Sequence, residues 1–304
     1  MGQPVLQHVS LAERIYLVRS SVMHDVLDVL ADPWQLAILK SVLHNPLRFD
    51  EIIGRLGISR AALSMRLNLL CEHNCLQREH YGSSGKRFEY RITEQGRDLA
   101  PVFILMDQWN HDWLGSPLET AHECPHCLQP LRLQVICRQC RTPLRPLQLK
   151  PLFFDENESL YAEIPDYRRT RSTPGKNDTD PMLIRAEAWL RDRWSALIIG
   201  CLLFGIFRYA DIQECIDIAP NILAQRLDLL IRGQMLQRRE DGGYSLTERG
   251  YALYPMIQVM RAWGMKWLPG HSPIKHGWGL LHTPCLSWFN PVAACIHCQM
   301  QYSV

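Results

Sequence analysis

After Asp32 and Pro33, apolar residues recur at Leu36, Leu39 and Leu43, with Lys40 on the same stripe. That is the three-and-four spacing of one helical face, with Asp32 placed to cap the helix and Pro33 suited to its first turn. A short amphipathic stretch, RFDEIIGRLG, follows and closes at Gly57, after which Ser59 can cap RAALSMRLNLLCEHN. In this second helix Leu63, Leu67 and Leu70 fall at i, i+4 and i+7 and should be buried, which turns Arg60, Ala61, Ser64 and Asn68 outward. Two helices joined by a tight glycine turn predict a helix-turn-helix. Next, CLQREHYGSSGKRFEYRIT alternates around a Gly/Ser turn and predicts a β-hairpin with basic residues at its tip and on its return strand. A helix-turn-helix followed by such a hairpin is a winged helix.

The same pattern returns later in the chain. DPWQLAILKSVLHNPLRFDEI, from Asp32, aligns with DRWSALIIGCLLFGIFRYADI, from Asp192, at an offset of 160 residues. LSMRLNLLCEHNCLQRE, from Leu63, meets LAQRLDLLIRGQMLQRR at the same offset, placing Leu67, Leu70 and Leu76 on Leu227, Leu230 and Leu236. Beyond the hairpin the offset falls to 154, where Thr93 meets Thr247, Pro101 meets Pro255, and Trp109 and Trp113 meet Trp263 and Trp267. The aromatic pairs, four residues apart on a helix, belong either to a core or to an interface together with the segments before Trp34 and Trp194.

Each copy is followed by a set of metal-type ligands. CPHCLQPLRLQVICRQC places Cys124, Cys127, Cys137 and Cys140 with C-x2-C-x9-C-x2-C spacing, and HTPCLSWFNPVAACIHC places His282, Cys285, Cys295 and Cys298 with H-x2-C-x9-C-x2-C spacing. Two short-gapped pairs of thiolate or imidazole suit tetrahedral zinc, and four protein ligands leave no open position for catalysis. Two structural Zn2+ sites are expected, one ribbon closing within each half. His122 and His126 flank Cys124 and are alternative ligands, though the repeat favours Cys124; His297, His271 and His276 read as spectators. Cys71, Cys75, Cys201 and Cys215 have no spacing partners and read as small buried hydrophobes.

Composition changes this picture little. The chain has 304 residues, 47% hydrophobic and 21% charged, enough for several packed units. A net charge of +2 confines any nucleic-acid binding to local patches. The first twenty residues do not form a secretory or myristoylation signal, so a reducing, cytoplasmic location is expected and metal ligation is favoured over disulfides. The most apolar run, ALIIGCLLFGIF, is twelve residues, too short for a membrane span and suited to a buried helix.

Trp34 within DPWQLAILKSVL, Arg48-Phe49 before the turn, ISRAALSMRLNLL, the wing, EYRITEQGRDLAPV and a last tryptophan-bearing helix together resemble the HxlR-type winged-helix transcriptional regulators. The likeness covers residues 21–114 and returns more weakly over 181–268, with the cysteine clusters lying outside the usual single-domain form. It implies dimeric DNA-binding proteins with a recognition helix, here residues 59–74, in the major groove and a wing, here 79–91, along the backbone. Some members of the family carry a redox-sensing cysteine thirteen residues before the tryptophan. Ser21 and Pro181 occupy those positions here, so that sensing mode is not expected.

The expected architecture is therefore α+β, mainly α: a winged helix over 1–116, a zinc ribbon over 117–150, a polar linker over 151–180, a second winged helix over 181–270 and a second ribbon over 271–304. On the first recognition helix Arg60 and Ser64 are candidates to reach base edges, with Ser59 and Ala61 also expected at the DNA, while Arg66, Lys86, Arg87 and Arg91 are candidates to neutralise phosphates. The second offers Asn221, Gln225 and Arg226, and its wing carries the acids Glu240 and Asp241 near its tip. This makes it a weaker DNA reader and a candidate intramolecular partner for the first, mimicking a two-fold dimer. The expected partner is double-stranded DNA, with a homodimer and an unidentified small-molecule effector as open possibilities. No nucleophile, base and orienting group come together in the sequence, so an enzyme is not expected. The rival reading is a protein-docking module that reuses winged helices and ribbons.

Overall fold

A computed structural model describes residues 8–81, 87–118, 123–145, 148–153, 189–190, 192–268, 270 and 277–302. Lys86, Pro181, His122, His271, His276 and most of the expected linker lie outside the described residues. Two helices open the chain, α1 (Leu11–Arg19) and α2 (Met23–Leu30). The first winged helix comprises α3 (Pro33–Val42), β1 (Leu47–Arg48), α4 (Phe49–Leu56), α5 (Arg60–Glu72), β2 (Leu76–Tyr81), β3 (Arg87–Ile92), α6 (Glu94–Arg97) and α7 (Ala100–Leu114).

The local signals act as their chemistry dictates. Asp32 accepts hydrogen bonds from the backbone N–H groups of Trp34 and Gln35 at the start of α3. Ser59 accepts from the N–H of Ala62 at the start of α5. Gly57 ends α4 at φ 66°, a left-handed conformation that glycine adopts without steric cost. Leu63, Leu67 and Leu70 are fully buried. The wing is a three-stranded antiparallel sheet in the order β1-β3-β2, with Leu47 opposite Tyr90 and Leu76 opposite Ile92.

The second winged helix repeats the plan with α8 (Arg193–Leu203), α9 (Tyr209–Ile216), α10 (Pro220–Arg232), β6 (Leu236–Arg238), β7 (Tyr244–Leu246), α11 (Glu248–Tyr251) and α12 (Tyr254–Trp267). Its wing is reduced to the β6-β7 hairpin, and the N–H of Tyr244 donates to the carbonyl of Phe207 at 2.9 Å, the only trace of the third strand among the described residues. Residues 61–70 and 221–230 show the same sequence of buried and exposed positions. Both cores merge into one apolar cluster, in which Leu67 and Trp109 of the first half join Leu227 and Trp263 of the second.

The halves are related by an internal two-fold. The indole N–H of Trp109 donates to the carbonyl of Arg249 at 3.2 Å, and that of Trp263 donates to the carbonyl of Gln95 at 2.8 Å. Since Trp109 aligns with Trp263 and Gln95 with Arg249, these are one contact made twice, as at an isologous dimer interface. The remaining strands, β4 (Leu133–Cys137), β5 (Leu149–Phe153), β8 (Trp278–His282), β9 (Ser287–Trp288) and β10 (Pro291–Cys295), follow the same symmetry at their centre. There β4 pairs antiparallel with β10, running from Leu133 opposite Cys295 to Cys137 opposite Pro291. The central pair, Val135 and Ala293, are equivalents in the repeat, so the two-fold passes between them.

The amino-terminal helices cross onto the second half. Arg19 donates to the carbonyl of Cys215 at 2.8 Å, and α2 packs on α12. At that crossing Gly264 lies so close to Val26 that an added Cβ would sit 2.4 Å from its Cγ2. Without a side chain there, the two helices can approach.

Candidate metal centres and nucleic-acid interface

Four turns carry the expected ligands, and all four have the same backbone. The residue after the second ligand of each pair, Leu128, Arg141, Leu286 and Gln299, has a φ between 53° and 63°. Its N–H donates to the carbonyl of the first ligand, Cys124, Cys137, His282 and Cys295 respectively, at 2.8 to 2.9 Å. None of the four is glycine, so each accepts the cost of a left-handed side-chain-bearing residue to turn two ligands the same way.

The eight ligands form two groups, but not along the chain as the spacing suggested. Cys124 and Cys127 meet Cys295 and Cys298, while Cys137 and Cys140 meet His282 and Cys285. Each group thus takes one turn from each half, and the internal two-fold exchanges the groups. The correction has a physical cause. A five-residue strand spans roughly 16 Å, so β4 holds its two turns at opposite ends and cannot close them on one ion, whereas antiparallel β10 brings the partner turns alongside. Spacing alone cannot distinguish these pairings, because the repeat supplies the same turns twice.

Within a group all ligand atoms lie within 4.8 Å of one another. Sulfur pairs stand 3.7 Å (Cys124–Cys298), 3.9 Å (Cys127–Cys295) and 3.8 Å (Cys137–Cys285) apart, far beyond a disulfide bond. His282 Nδ1 is 3.2 Å from Cys285 Sγ and 3.5 Å from Cys140 Sγ. A tetrahedral ion with ordinary zinc bond lengths would separate two sulfurs by about 3.8 Å and a sulfur from a nitrogen by about 3.6 Å. The donor sets therefore fit such an ion, and both groups can hold a metal. His282 is fully buried against Phe289, with Nδ1 among the thiols and burial drawing its pKa down, which favours the neutral ligand form. Hydrogen bonds from the backbone N–H of His126, and then of Cys127, draw the Cys124 thiol down to about 6 despite desolvation. At Cys140 burial opposes ionisation, but the Thr142 hydroxyl and N–H outweigh it and the pKa falls. His126 and His297 are exposed and belong to neither group.

The unpaired cysteines behave as buried apolar groups: Cys75, Cys201 and Cys215 are inaccessible, Cys71 is half-buried, and desolvation pushes the Cys75 thiol up to about 12.

On α5, Ser59, Arg60, Ala61, Ser64, Met65 and Asn68 are exposed. Arg60 reaches Asp50 at 2.9 Å, but both side chains are more than 70% exposed, so this ion pair is worth little and is readily exchanged for phosphate. Arg66 is placed otherwise: its guanidinium donates to both oxygens of Asp32 and fastens α5 to the start of α3. Arg226 repeats this with Asp192 at 2.9 Å. Arg66, expected at phosphates, and Arg226, expected on the second DNA-facing helix, are both engaged in joining helices. Arg91 is flanked by Glu79 and Glu89, at 2.7 and 3.1 Å, which offset its charge. Only the backbone of Arg87 is described. On α10, Asn221, Ala224 and Gln225 are exposed, joined by Asp228 where α5 carries Asn68. In the second wing Asp241 is held at a pKa of about 2 by the side chain of Arg239 and the N–H of Gly243, and so stays anionic.

Two winged helices with solvated second helices, buried against each other about a two-fold, define a helix-turn-helix protein. The HxlR-like helix-turn-helix family model matches residues 29–117 and 189–272, and the chain belongs to that family. An uncharacterized HTH-type transcriptional regulator of Mycobacterium tuberculosis is 32% identical over 129 residues, 41% of this chain and 80% of that protein. The HTH-type transcriptional regulator YodB of Bacillus subtilis is 35% identical over 94 residues, 29% of this chain and 84% of its own. The crystal structure of PA1607 shares 29% identity, covers 39% of this chain and 79% of that one, and aligns with a TM-score of 0.31. Both of these curated relatives are named as HTH-type transcriptional regulators, a non-enzyme family. No helix among the described residues is long and apolar enough to cross a membrane.

Proposed function

We propose that this protein is a DNA-binding transcriptional regulator in which one chain does the work of a dimer. The exposed face of α5, with Ser59, Arg60, Ala61 and Ser64 set on a fully buried leucine stripe, carries the reading. It enters the major groove, with Arg60 and Ser64 at base edges and Lys86, Arg87 and Arg91 of the wing along phosphates. The second winged helix acts chiefly as the internal partner that fixes α5, contacting DNA weakly through Asn221 and Gln225, because Asp228 and Asp241 repel phosphate. The two ligand groups hold zinc, which supplies a rigid tetrahedral cross-link and no catalysis. Since each cross-link joins the halves, zinc keeps the pair of winged helices in register.

The test is fluorescence polarisation of genomic fragments recovered by pull-down with the full chain. Saturable binding that weakens steeply with salt, and weakens about tenfold or more in Arg60→Ala, supports the reading. Binding without sequence preference, or unchanged by that substitution, overturns it in favour of protein docking.

A further inference from the structure

At one of the places where the duplication is unequal lies a cavity. At the offsets of the repeat, Lys40 corresponds to Gly200, Leu36 to Ala196, Ile104 to Gln258 and Asp107 to Arg261. In the first half Lys40 and Asp107 form an ion pair at 2.8 Å, with the Asp107 side chain 1% exposed. In the second half both partners have changed: glycine removes the ammonium, and arginine replaces the carboxylate. What remains is a partly enclosed cavity of about 90 Å³ bounded by α8, α12, the amino-terminal helices and the β5-β8 strands. A Cβ added to Gly200 would meet no heavy atom within 4 Å.

The lining is mainly apolar, with Leu27, Leu203, Phe204 and Ile257 prominent, but two of its buried polar atoms are unmatched. Trp189 Nε1 and Gln258 Oε1 are buried without hydrogen-bond partners among the described residues, in side chains belonging to residues only 1% and 5% exposed. An unmet buried donor or acceptor is costly, so a site with both favours an occupant that satisfies them. Arg261 stands 5.2 Å over the Trp278 ring and has no carboxylate partner among the described residues. Burial pulls its pKa down from 12.5 to about 10, with Tyr254 acting weakly the other way, and it remains a cation at neutral pH. The space is smaller than the roughly 150 Å³ engineered cavity that takes benzene, so it takes at most a single ring, and only as the flexible Met23 side chain moves aside.

We propose that this cavity binds a small monocyclic carboxylate bearing a hydroxyl or N–H donor. The carboxylate pairs with Arg261 and accepts from Trp189 Nε1, the donor reaches Gln258 Oε1, and the ring lies among Leu27, Phe204 and Ile257. The occupant touches the amino-terminal helices, the second winged helix and the metal-bearing strands at once. Its role as the effector of a regulator rests on the function proposed above; its binding does not, so binding is measured without DNA.

Calorimetry and intrinsic tryptophan fluorescence on the full metal-loaded chain, with 4-hydroxybenzoate, benzoate and neutral benzamide as probes, test the site. The expected order of affinity is 4-hydroxybenzoate, benzoate, benzamide. Arg261→Met should weaken 4-hydroxybenzoate at least tenfold and erase its advantage over benzamide. Gly200→Leu, which fills the cavity from a helix that tolerates leucine well, should abolish binding with helicity and metal content unchanged. It also serves as the decisive variant if Arg261→Met does not fold. Absence of saturable binding by either carboxylate, or binding that survives Gly200→Leu, overturns the proposal.

Discussion

Replacing ligands two turns at a time separates crossed metal centres from ribbons closed within each half. With Cys124, Cys127, Cys295 and Cys298 all changed to serine, the crossed arrangement loses one complete group and keeps the other, so one ion per chain should remain. With Cys124, Cys127, Cys137 and Cys140 changed instead, each group loses two ligands and none should remain. In-half closure predicts the reverse result for both chains. The energetic signature also differs. Cys127 and Cys295 are 168 residues apart, whereas Cys127 and Cys137 are ten apart. By the chain-entropy relation for a cross-link, closing the longer loop stabilises by about 5 kcal/mol and the shorter by about 3 kcal/mol. Metal content after dialysis and urea midpoints give both quantities. One ion retained by the variant altered only in the first half, with none in the other variant, would refute the crossed pairing.

Acid should loosen the joint between the halves. His24 is half-buried and faces Arg193, Arg19, Asp25 and the Val18 carbonyl; desolvation first, then Arg193, lowers its pKa from 6.5 to about 4. The unfolded chain therefore takes up the proton first, so this group's stabilising effect is full above pH 6.5 and lost progressively toward pH 4, about 3 kcal/mol in all; urea titrations of His24→Asn should show a flatter profile. Gly264→Ala should destabilise by about 1–3 kcal/mol by pushing α2 off α12, and an unchanged melting temperature would refute that close contact. Arg66→Ala should cost roughly 1–3 kcal/mol by leaving Asp32 without its guanidinium yet leave the salt slope of DNA binding intact, whereas Arg60→Ala should leave stability unchanged and relax sequence preference; a reduced slope in Arg66→Ala would return Arg66 to the phosphates.

Much of this fold is legible in the sequence because local and tertiary preferences agree. Asp32, Ser59 and Gly57 mark helix ends through bonds to their own neighbours, and the leucine stripe of α5 admits only one buried face. All eight metal-type ligands are equally visible, since their short gaps are fixed by a local turn. Their partners are not, because which turn faces which depends on β4 pairing with β10 across 158 residues of repeat offset. Arg66 and Arg226 mislead for a related reason: an arginine on a recognition helix looks available until the aspartate at the start of another helix is seen beside it. The crossing of α1 and α2 onto the second half leaves no signal in periodicity, and Gly264 acquires its meaning only from Val26.

Fusing two copies in one chain removes a constraint that a dimer of identical chains cannot escape. In such a dimer, exchanging Asp107 for arginine would leave two buried cations and no buried carboxylate, and losing Lys40 would open two cavities. Here the first half retains the Lys40–Asp107 pair and a full three-stranded wing. The second carries the changed pair Gly200 and Arg261, the shortened hairpin and the acidic tip. With a metal in each, the crossed ligand groups would make this divergence tolerable, because two cross-links and the reciprocal tryptophan bonds would hold the two-fold while the surfaces around it differ. If both proposals hold, the half that reads DNA need not be the half that holds a ligand, and the apolar core that the two halves share would be the route from the cavity to α5.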